Sequence, residues 1–190
     1  MKFGPPLSDP MRKICKAAAE SVYVSVAEGS GHDFALMPES PIEEIFAAAI
    51  FAQYRYISAG ALELFPVPPE QFDHWCDDLA AKAASPYEEY RVIATNQYQI
   101  ENARVDFCFC YKNWRSGNIF KLVVECDGHA YHERTKEQAM KDRARDRFLQ
   151  QKGYVVFRFT GAEIWRSPLQ CAEQVADWID HKASQKDGAA

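Results

Sequence analysis

The sequence has no long apolar run, no internal repeat and no low-complexity tract. Its longest nearly apolar stretch, residues 45–52, is too short to cross a bilayer, and its first residues contain no apolar core of a signal peptide. The 190 residues are 47% hydrophobic and 26% charged, which is typical of a globular protein and not of a disordered, collagen-like or coiled-coil chain. We therefore expect one cytoplasmic domain with a hydrophobic core and no membrane contact.

Cysteine is present, but without the spacing of a metal cage or a disulfide framework. No CxxC pair occurs among the six cysteines, which are Cys15, Cys76, Cys108, Cys110, Cys126 and Cys171. Free cysteine is among the most buried residue types. We expect reduced, mostly buried thiols.

The chain also lacks an excess of positive charge. Its formal net charge of -5 argues against a generally basic surface that grips nucleic acid. The distribution is uneven, because residues 133–152 contain seven basic and four acidic side chains, a net of +3, and the rest carries -8. Most of these charges fit a solvated helix with pairs at helical spacing, while a minority are candidates for phosphate contacts.

Periodicity and turn residues predict an α/β protein. Ser40 as N-cap, Pro41 in the first helical position and Glu43 as the capping-box partner predict a helix over residues 40–56. A proline-rich break at 64–69 precedes a second helix over 70–84. Strands are predicted over 90–100, 103–112, 119–127 and 154–160, with helices over 133–152, stopped by Gly153, and over 169–183. Short connections favour antiparallel pairing of the first three strands, and the intervening helix favours a parallel fourth strand.

Single carboxylates lie near the ends of two of these apolar strands. Strict alternation puts Asp106, Cys108 and Cys110 on one face and Val105, Phe107, Phe109 and Tyr111 on the other. Glu125 lies near the end of the next strand, and Glu43 lies on the first helix. Strand carboxylates with a third from a packed helix form a hard-oxygen site of the kind that Mg²⁺ prefers. The alternatives are a turn-bonding charge for Asp106 and a cross-strand ion pair for Glu125.

These residues carry a resemblance to a nuclease superfamily. Residues 104–107 (RVDF) precede residues 124–132 (VECDGHAYH) by about twenty positions, and a charged helix with Asp142 and Asp146 leads to residues 153–161 (GYVVFRFTG). This pattern resembles the PD-(D/E)XK superfamily, and more narrowly a bacterial branch allied to the very short patch repair endonucleases. It covers residues 39–182.

The resemblance implies a fold and a domain layout. The fold is a restriction-endonuclease-like α/β core, namely a helix, three antiparallel strands, a helix and a parallel strand, with added helices. We expect an N-terminal extension over 1–39, a nuclease-like domain over 40–184 with a helical insertion at about 58–88, and a disordered tail over 185–190.

The resemblance also implies roles for individual residues. Asp106, Glu125 and the backbone carbonyl of Cys126 would bind Mg²⁺, or Mn²⁺ as a substitute, joined by Glu43 with Glu44 as the alternative. Asp127 stands where the superfamily has a lysine, so the usual cation beside the attacking water is absent. His132 as general base, Asp127 as a further ligand and Lys136 as a phosphate contact are the candidates to compensate, in that order.

Several side chains are candidates for nucleic-acid contact, and the tryptophans divide into two groups. Trp114, beside Lys112 and Arg115 in a turn, is expected to be exposed and able to stack on a base; Lys136 and Arg158 are candidates for phosphate contacts. Trp75, Trp165 and Trp178 are expected in the core or at its edge.

We therefore expect a Mg²⁺-dependent endodeoxyribonuclease in which a metal-bound water attacks phosphorus. The alternative is a catalytically inactive module of the same fold that binds nucleic acid or a protein partner. The residues do not separate DNA from RNA, and they leave a homodimer or a recruiting protein open.

Overall fold

The computed structural model describes residues 38–54, 62–82, 90–128 and 136–185, all within the unit Leu36–Ala190. Most of the expected N-terminal extension, His129 and His132, and the expected tail beyond residue 185 lie outside the described residues. The domain boundaries therefore stay predictions.

One five-stranded sheet forms the centre of the described structure. Its strands, in their spatial order, are β1 (Leu62–Pro66), β2 (Tyr90–Ile100), β3 (Ala103–Lys112), β4 (Ile119–Asp127) and β5 (Tyr154–Thr160). The strands β2, β3 and β4 pair antiparallel, whereas β1 pairs parallel to β2 and β5 pairs parallel to β4. The predicted strands and the predicted pairing directions are thereby confirmed.

Helices cover both faces of this sheet. They are α1 (Pro41–Ala52), α2 (Phe72–Ala81) after a short 3₁₀ turn (Pro69–Gln71), α3 (Lys136–Gln151), α4 (Gly161–Arg166) and α5 (Pro168–Ser184). Phe46 of α1 and Val175 of α5 pack with Phe107 on one face, and Phe72 of α2 and Leu149 of α3 pack with Cys108 on the other. None of the helices in the described ranges is long and apolar enough to cross a membrane.

Local sequence signals account for most helix ends. The Ser40 side chain accepts a hydrogen bond from the Glu43 backbone N–H, which confirms Ser40 as the N-cap. The Glu43 carboxylate accepts from the Glu39 N–H and the Ser40 hydroxyl, so the predicted capping box is present only in its Ser40 half. Gly153 follows α3 with φ of 84°, a left-handed conformation that glycine adopts without strain, and it ends the helix where predicted. The helix α4 was not predicted, although Thr160 and Glu163 form a capping box at its start.

The segment expected to be a break contains a strand. Residues 62–66 form β1 at the edge of the sheet, and Pro66 ends it opposite Ala94. An edge strand tolerates proline because one row of its backbone groups needs no partner in the sheet. The proline-rich pattern therefore marked the end of an edge strand and not the absence of one.

The alternation of side chains is interrupted around Asp106. Val105 packs in the same core as Cys108, whereas Phe107 lies in the opposite core, so the prediction that Val105 shares a face with Phe107 is wrong. On the neighbouring strand, Gln97 has φ of 51°, which is unusual for a residue other than glycine. Both strands thus lose their regular pleat where the first candidate carboxylate lies.

The described cysteines fit their expected state. Cys76, Cys108, Cys110, Cys126 and Cys171 are all buried free thiols. Burial raises the pKa of the Cys171 thiol, which keeps the proton on sulfur. Cys15 lies outside the described residues.

Candidate active site

Four carboxylates lie in the region where β4 and β5 end. Glu125 lies beside Arg158 in the parallel β4–β5 register, and Asp127 lies beside Thr160. Asp106 is the next residue along β3 beyond the last β3–β4 ladder pair, Phe107 with Val124. The fourth carboxylate, Glu43, comes from the first turn of α1.

Asp106 is held by the backbone of the adjacent strand. Its Oδ2 accepts a hydrogen bond of 2.7 Å from the Cys126 backbone N–H, in place of a regular ladder bond. Burial raises the pKa of this carboxyl group; the Cys126 hydrogen bond lowers it, and the charge of Glu43 raises it again. The site thus holds a carboxylate that is partly desolvated and rigidly placed.

Glu125 is the most deeply buried of the candidate ligands. Only 4% of the residue is exposed. Burial, followed by the charge of Asp106, raises its pKa to about 7, although Arg145 and Arg158 act in the opposite direction. Arg145 Nη2 of α3 lies 2.8 Å from Glu125 Oε1, yet this oxygen has no well-directed hydrogen bond. The contact is therefore an ion pair with a helix residue and not the cross-strand pair considered from the sequence.

Glu43 has a strong structural role already. Its Oε2 accepts from the Glu39 backbone N–H at 2.9 Å and from Gln97 Nε2 at 2.7 Å, and its Oε1 accepts from Ser40 Oγ at 2.7 Å. It is buried, whereas Glu44 is exposed, so Glu43 is the one of the two that the fold turns inward. Its partner Gln97 lies on β2 opposite Asp106, so Glu43 is held near Asp106, and its charge raises the pKa of that carboxyl group.

Arg158 joins two carboxylates on the α3 side of the sheet. Its Nη1 donates to Asp127 Oδ1 at 2.9 Å, and its Nη2 donates to Asp146 Oδ1 at 2.7 Å. Burial lowers the pKa of Arg158, but the Asp146 hydrogen bond and the Asp127 charge raise it on balance, so the guanidinium stays charged. The candidate phosphate contact Arg158 is thus committed to Asp127 and Asp146.

A close approach between α4 and β4 fixes the edge of the site. A Cβ atom on Gly161 would lie 3.3 Å from the Asp127 carbonyl oxygen and 3.5 Å from the Gly128 Cα. Glycine at this position lets the start of α4 pack directly on the backbone that carries Asp127.

The remaining candidates lie elsewhere or outside the description. Lys112 lies six residues along β3 from Asp106, which is roughly 20 Å of extended chain. Its Nζ donates to the carbonyl oxygens of Leu79 and Ala80 at 3.2 Å, at the end of α2. Lys136 begins α3, but its side chain is not among those described.

The turn residues near Lys112 also have structural partners. The Arg115 guanidinium lies over the Trp114 ring at 3.8 Å, and Arg115 Nε donates to the Ser184 carbonyl at the end of α5. Trp114 is half-buried and not fully exposed as expected. The structure does not bring Lys112, Trp114 or Arg115 to the carboxylates, and their contact with nucleic acid stays a prediction.

The other tryptophans follow the expectation with one exception. Trp75 and Trp178 pack at the edges of the two cores. Trp165 is 70% exposed on α4, so its predicted core position is wrong. The adjacent Ile164 fills the core instead.

The oxygen atoms of the candidate ligands are of the type that binds hard cations such as Mg²⁺. Carboxylate and carbonyl oxygens are what Mg²⁺ prefers, and Glu125 Oε1 is a buried oxygen that lacks a hydrogen bond. Among the described residues, however, no group of three or more His, Cys, Asp or Glu side chains is arranged to hold a metal ion. The oxygen donors are thus of the kind that Mg²⁺ prefers, while their present arrangement is not that of a metal site and Glu125 is ion-paired with Arg145.

Three contributors to this arrangement were not predicted as site residues. Gln97 orients Glu43, Arg145 pairs with Glu125, and Asp146 holds Arg158. Arg145 and Asp146 belong to the charged helix, where spacing alone does not say which charges turn inward.

The described residues form a mixed α/β structure with one five-stranded sheet, which is compatible with a restriction-endonuclease-like core. Residues 86–179, just under half of the chain, match the family model REase_MTES_1575, a restriction-endonuclease-like family. The match supports the superfamily and suggests a nuclease. It contains Asp106, Glu125, Arg145 and Arg158 but not Glu43. No curated protein and no solved structure matches the chain.

Proposed function

We propose that the protein is a metal-dependent endonuclease that hydrolyses DNA phosphodiester bonds, in the branch allied to the very short patch repair endonucleases. The observation that carries the proposal is the pair of desolvated carboxylates, Asp106 and Glu125, on adjacent strands within the family match. Perturbed pKa values of this kind, at the ends of strands, are typical of sites that do chemistry.

Asp106, Glu125 and the Cys126 carbonyl would hold Mg²⁺, with Glu43 close to them. When bound, the ion supplies charge stabilisation at phosphorus and a lowered pKa for an attacking water. The Cys126 N–H keeps Asp106 oriented, and Gln97 does the same for Glu43. His132 as general base and Lys136 as phosphate contact belong to the proposal.

DNA is the proposed substrate despite the acidic net charge. The helix α3, which contributes Arg145 to the site, also has exposed positive side chains that could contact phosphates. The small excess of positive charge around this helix predicts modest, salt-sensitive affinity. A tight, metal-independent complex at physiological salt would contradict this.

The test is cleavage of supercoiled plasmid in Mg²⁺ and in EDTA. We expect relaxed or linear product with Mg²⁺, none in EDTA, and loss of activity in Asp106→Ala and Glu125→Ala. The exposed Glu137→Ala on α3 is the matched control, because it also removes one carboxylate. Activity that survives both site substitutions refutes the mechanism, and parallel assays on RNA test the choice of substrate.

A catalytically inactive module of the same fold is the second candidate. The arginine partners of Glu125 and Asp127 favour it, because those ion pairs neutralise the carboxylates without any metal. Such a module should show neither cleavage nor a rise in melting temperature with Mg²⁺. The enzyme should show both, since a ligand that binds only the native state stabilises it.

A further inference from the structure

Arg145 lies between the site and the backbone of β3. Its Nη2 is 2.8 Å from Glu125 Oε1 and also contacts the Arg104 carbonyl oxygen. The side chain is 35% exposed, while its Nε is buried and makes no hydrogen bond. The Nε–H of the guanidinium is therefore a buried donor without a hydrogen bond.

The two arginines of the site are held differently. Arg158 donates to two carboxylates, those of Asp127 and Asp146, and neither Nη is available without breaking an ion pair. Arg145 has an ion pair with Glu125, which is also the carboxylate that a divalent cation would need. Cation binding at Glu125 therefore competes with the Arg145 ion pair for the negative charge of this carboxylate.

The superfamily lysine would place a positive charge beside the attacking water, and this chain has no lysine at that position. Asp127 occupies the position of the superfamily lysine, and it is ion-paired with Arg158. A guanidinium is permanently charged and presents its donors in a fork that suits phosphate oxygens. Once displaced from Glu125, Arg145 is the described cation that starts nearest to the proposed ligands.

We propose that Arg145 takes the role of the absent lysine: it pairs with Glu125 in the metal-free protein and contacts the scissile phosphate when Glu125 binds the metal. This inference rests on the proposed nuclease function. It adds to that function a residue that contacts the substrate. It also states that Arg145 leaves Glu125 when the metal binds.

Removal of Arg145 should change Mg²⁺ affinity and kcat in opposite directions. Removing Arg145 frees Glu125 for the cation, so Mg²⁺ should bind more tightly. The same change removes positive charge from the phosphate, so kcat should fall. The gain in Mg²⁺ affinity tests the competition at Glu125, whereas the loss of kcat and its partial rescue by Arg145→Lys test the phosphate contact.

The experiment compares Arg145→Gln with Arg143→Gln, an exposed arginine on the same helix that controls for the loss of one positive charge. Mg²⁺ affinity is read from melting temperature during a Mg²⁺ titration at one fixed pH, and kcat is measured on plasmid at saturating Mg²⁺ and the same pH. Relative to the control, we expect Arg145→Gln to lower the Mg²⁺ midpoint about fivefold and kcat by about 10²-fold or more.

Arg145→Lys keeps a positive charge and provides a second reading if the glutamine variant folds poorly. It should lower the Mg²⁺ midpoint, because lysine pairs less well in this geometry, and it should retain more of kcat than glutamine does. An unchanged or raised midpoint, or a kcat equal to that of Arg143→Gln, overturns the role of Arg145. If the unaltered protein itself neither binds Mg²⁺ nor cleaves, the proposed function fails first and this inference fails with it.

Discussion

Glu125 should destabilise the metal-free protein at alkaline pH. Its pKa rises from an ordinary value of 4.5 to about 7 on folding, chiefly through burial. The native state therefore binds more protons than the unfolded state across this interval, and stability falls as pH rises through it. Because one pH unit of pKa difference corresponds to about 1.4 kcal/mol, the full loss above pH 7 is about 3 kcal/mol.

Glu125→Gln removes this penalty and keeps the shape of the side chain. Arg145 loses its charged partner, but the pKa of about 7 already includes the attraction of Arg145, so this loss needs no separate subtraction. We expect the variant to be about 1–3 kcal/mol more stable at pH 8.5, a rise in melting temperature of about 4–8 °C for a gain near 2 kcal/mol. At pH 5 the wild-type carboxyl group is mostly protonated, and the difference should be small.

Urea unfolding in EDTA at both pH values measures this directly. Glu137→Gln makes the same chemical change at an exposed position of α3 and should alter stability little at either pH. A stabilisation of equal size at both pH values, or a loss of stability at pH 8.5, would show that burial of the Glu125 charge is not the cause. Added Mg²⁺ should stabilise the wild type and not the variant.

Substitutions at three further positions test the supports of the site by urea unfolding. Gln97→Ala should lower the free energy of unfolding by about 1–2 kcal/mol, because Glu43 Oε2 loses a hydrogen-bond donor. Gln97→Gly should lower it less, because glycine adopts the positive φ at this position without strain. Gly161→Val should cost about 1–3 kcal/mol through crowding against the Asp127 backbone, and an unchanged midpoint would contradict that packing. Arg158→Met should cost about 2–4 kcal/mol near neutral pH and less at pH 3, where protonation removes the unpaired charges; equal losses would reject the ion pairs.

The elements predicted from the sequence are those with local signals. Ser40 and Glu43 define the start of α1, and Gly153 defines the end of α3, because caps depend on neighbouring residues. The strand β1 was not predicted, since its proline residues indicate a break unless the strand lies at a sheet edge. Whether it lies there depends on pairing with residues almost thirty positions away.

The residues of the site also fall into those that the sequence predicts and those that depend on the tertiary fold. Asp106 and Glu125 were predicted together, because two antiparallel strands joined by a short turn bring their far ends side by side. Arg145 is one of seven basic residues in its segment, and the rotation of α3 on the sheet decides which of them turns inward. At Gln97 and Asp106 the side chains stop alternating between the two faces of the sheet. The change of face between Val105 and Phe107 could therefore not be predicted from a period of two.

The most direct test of the account is the initial rate of Mg²⁺-dependent plasmid cleavage by Glu125→Gln beside Glu137→Gln. We predict that Glu125→Gln loses activity by about 10²-fold or more while it remains folded, and that Glu137→Gln cleaves at the rate of the unaltered protein. A folded Glu125→Gln protein that cleaves as fast as its control would contradict a catalytic site built on this carboxylate.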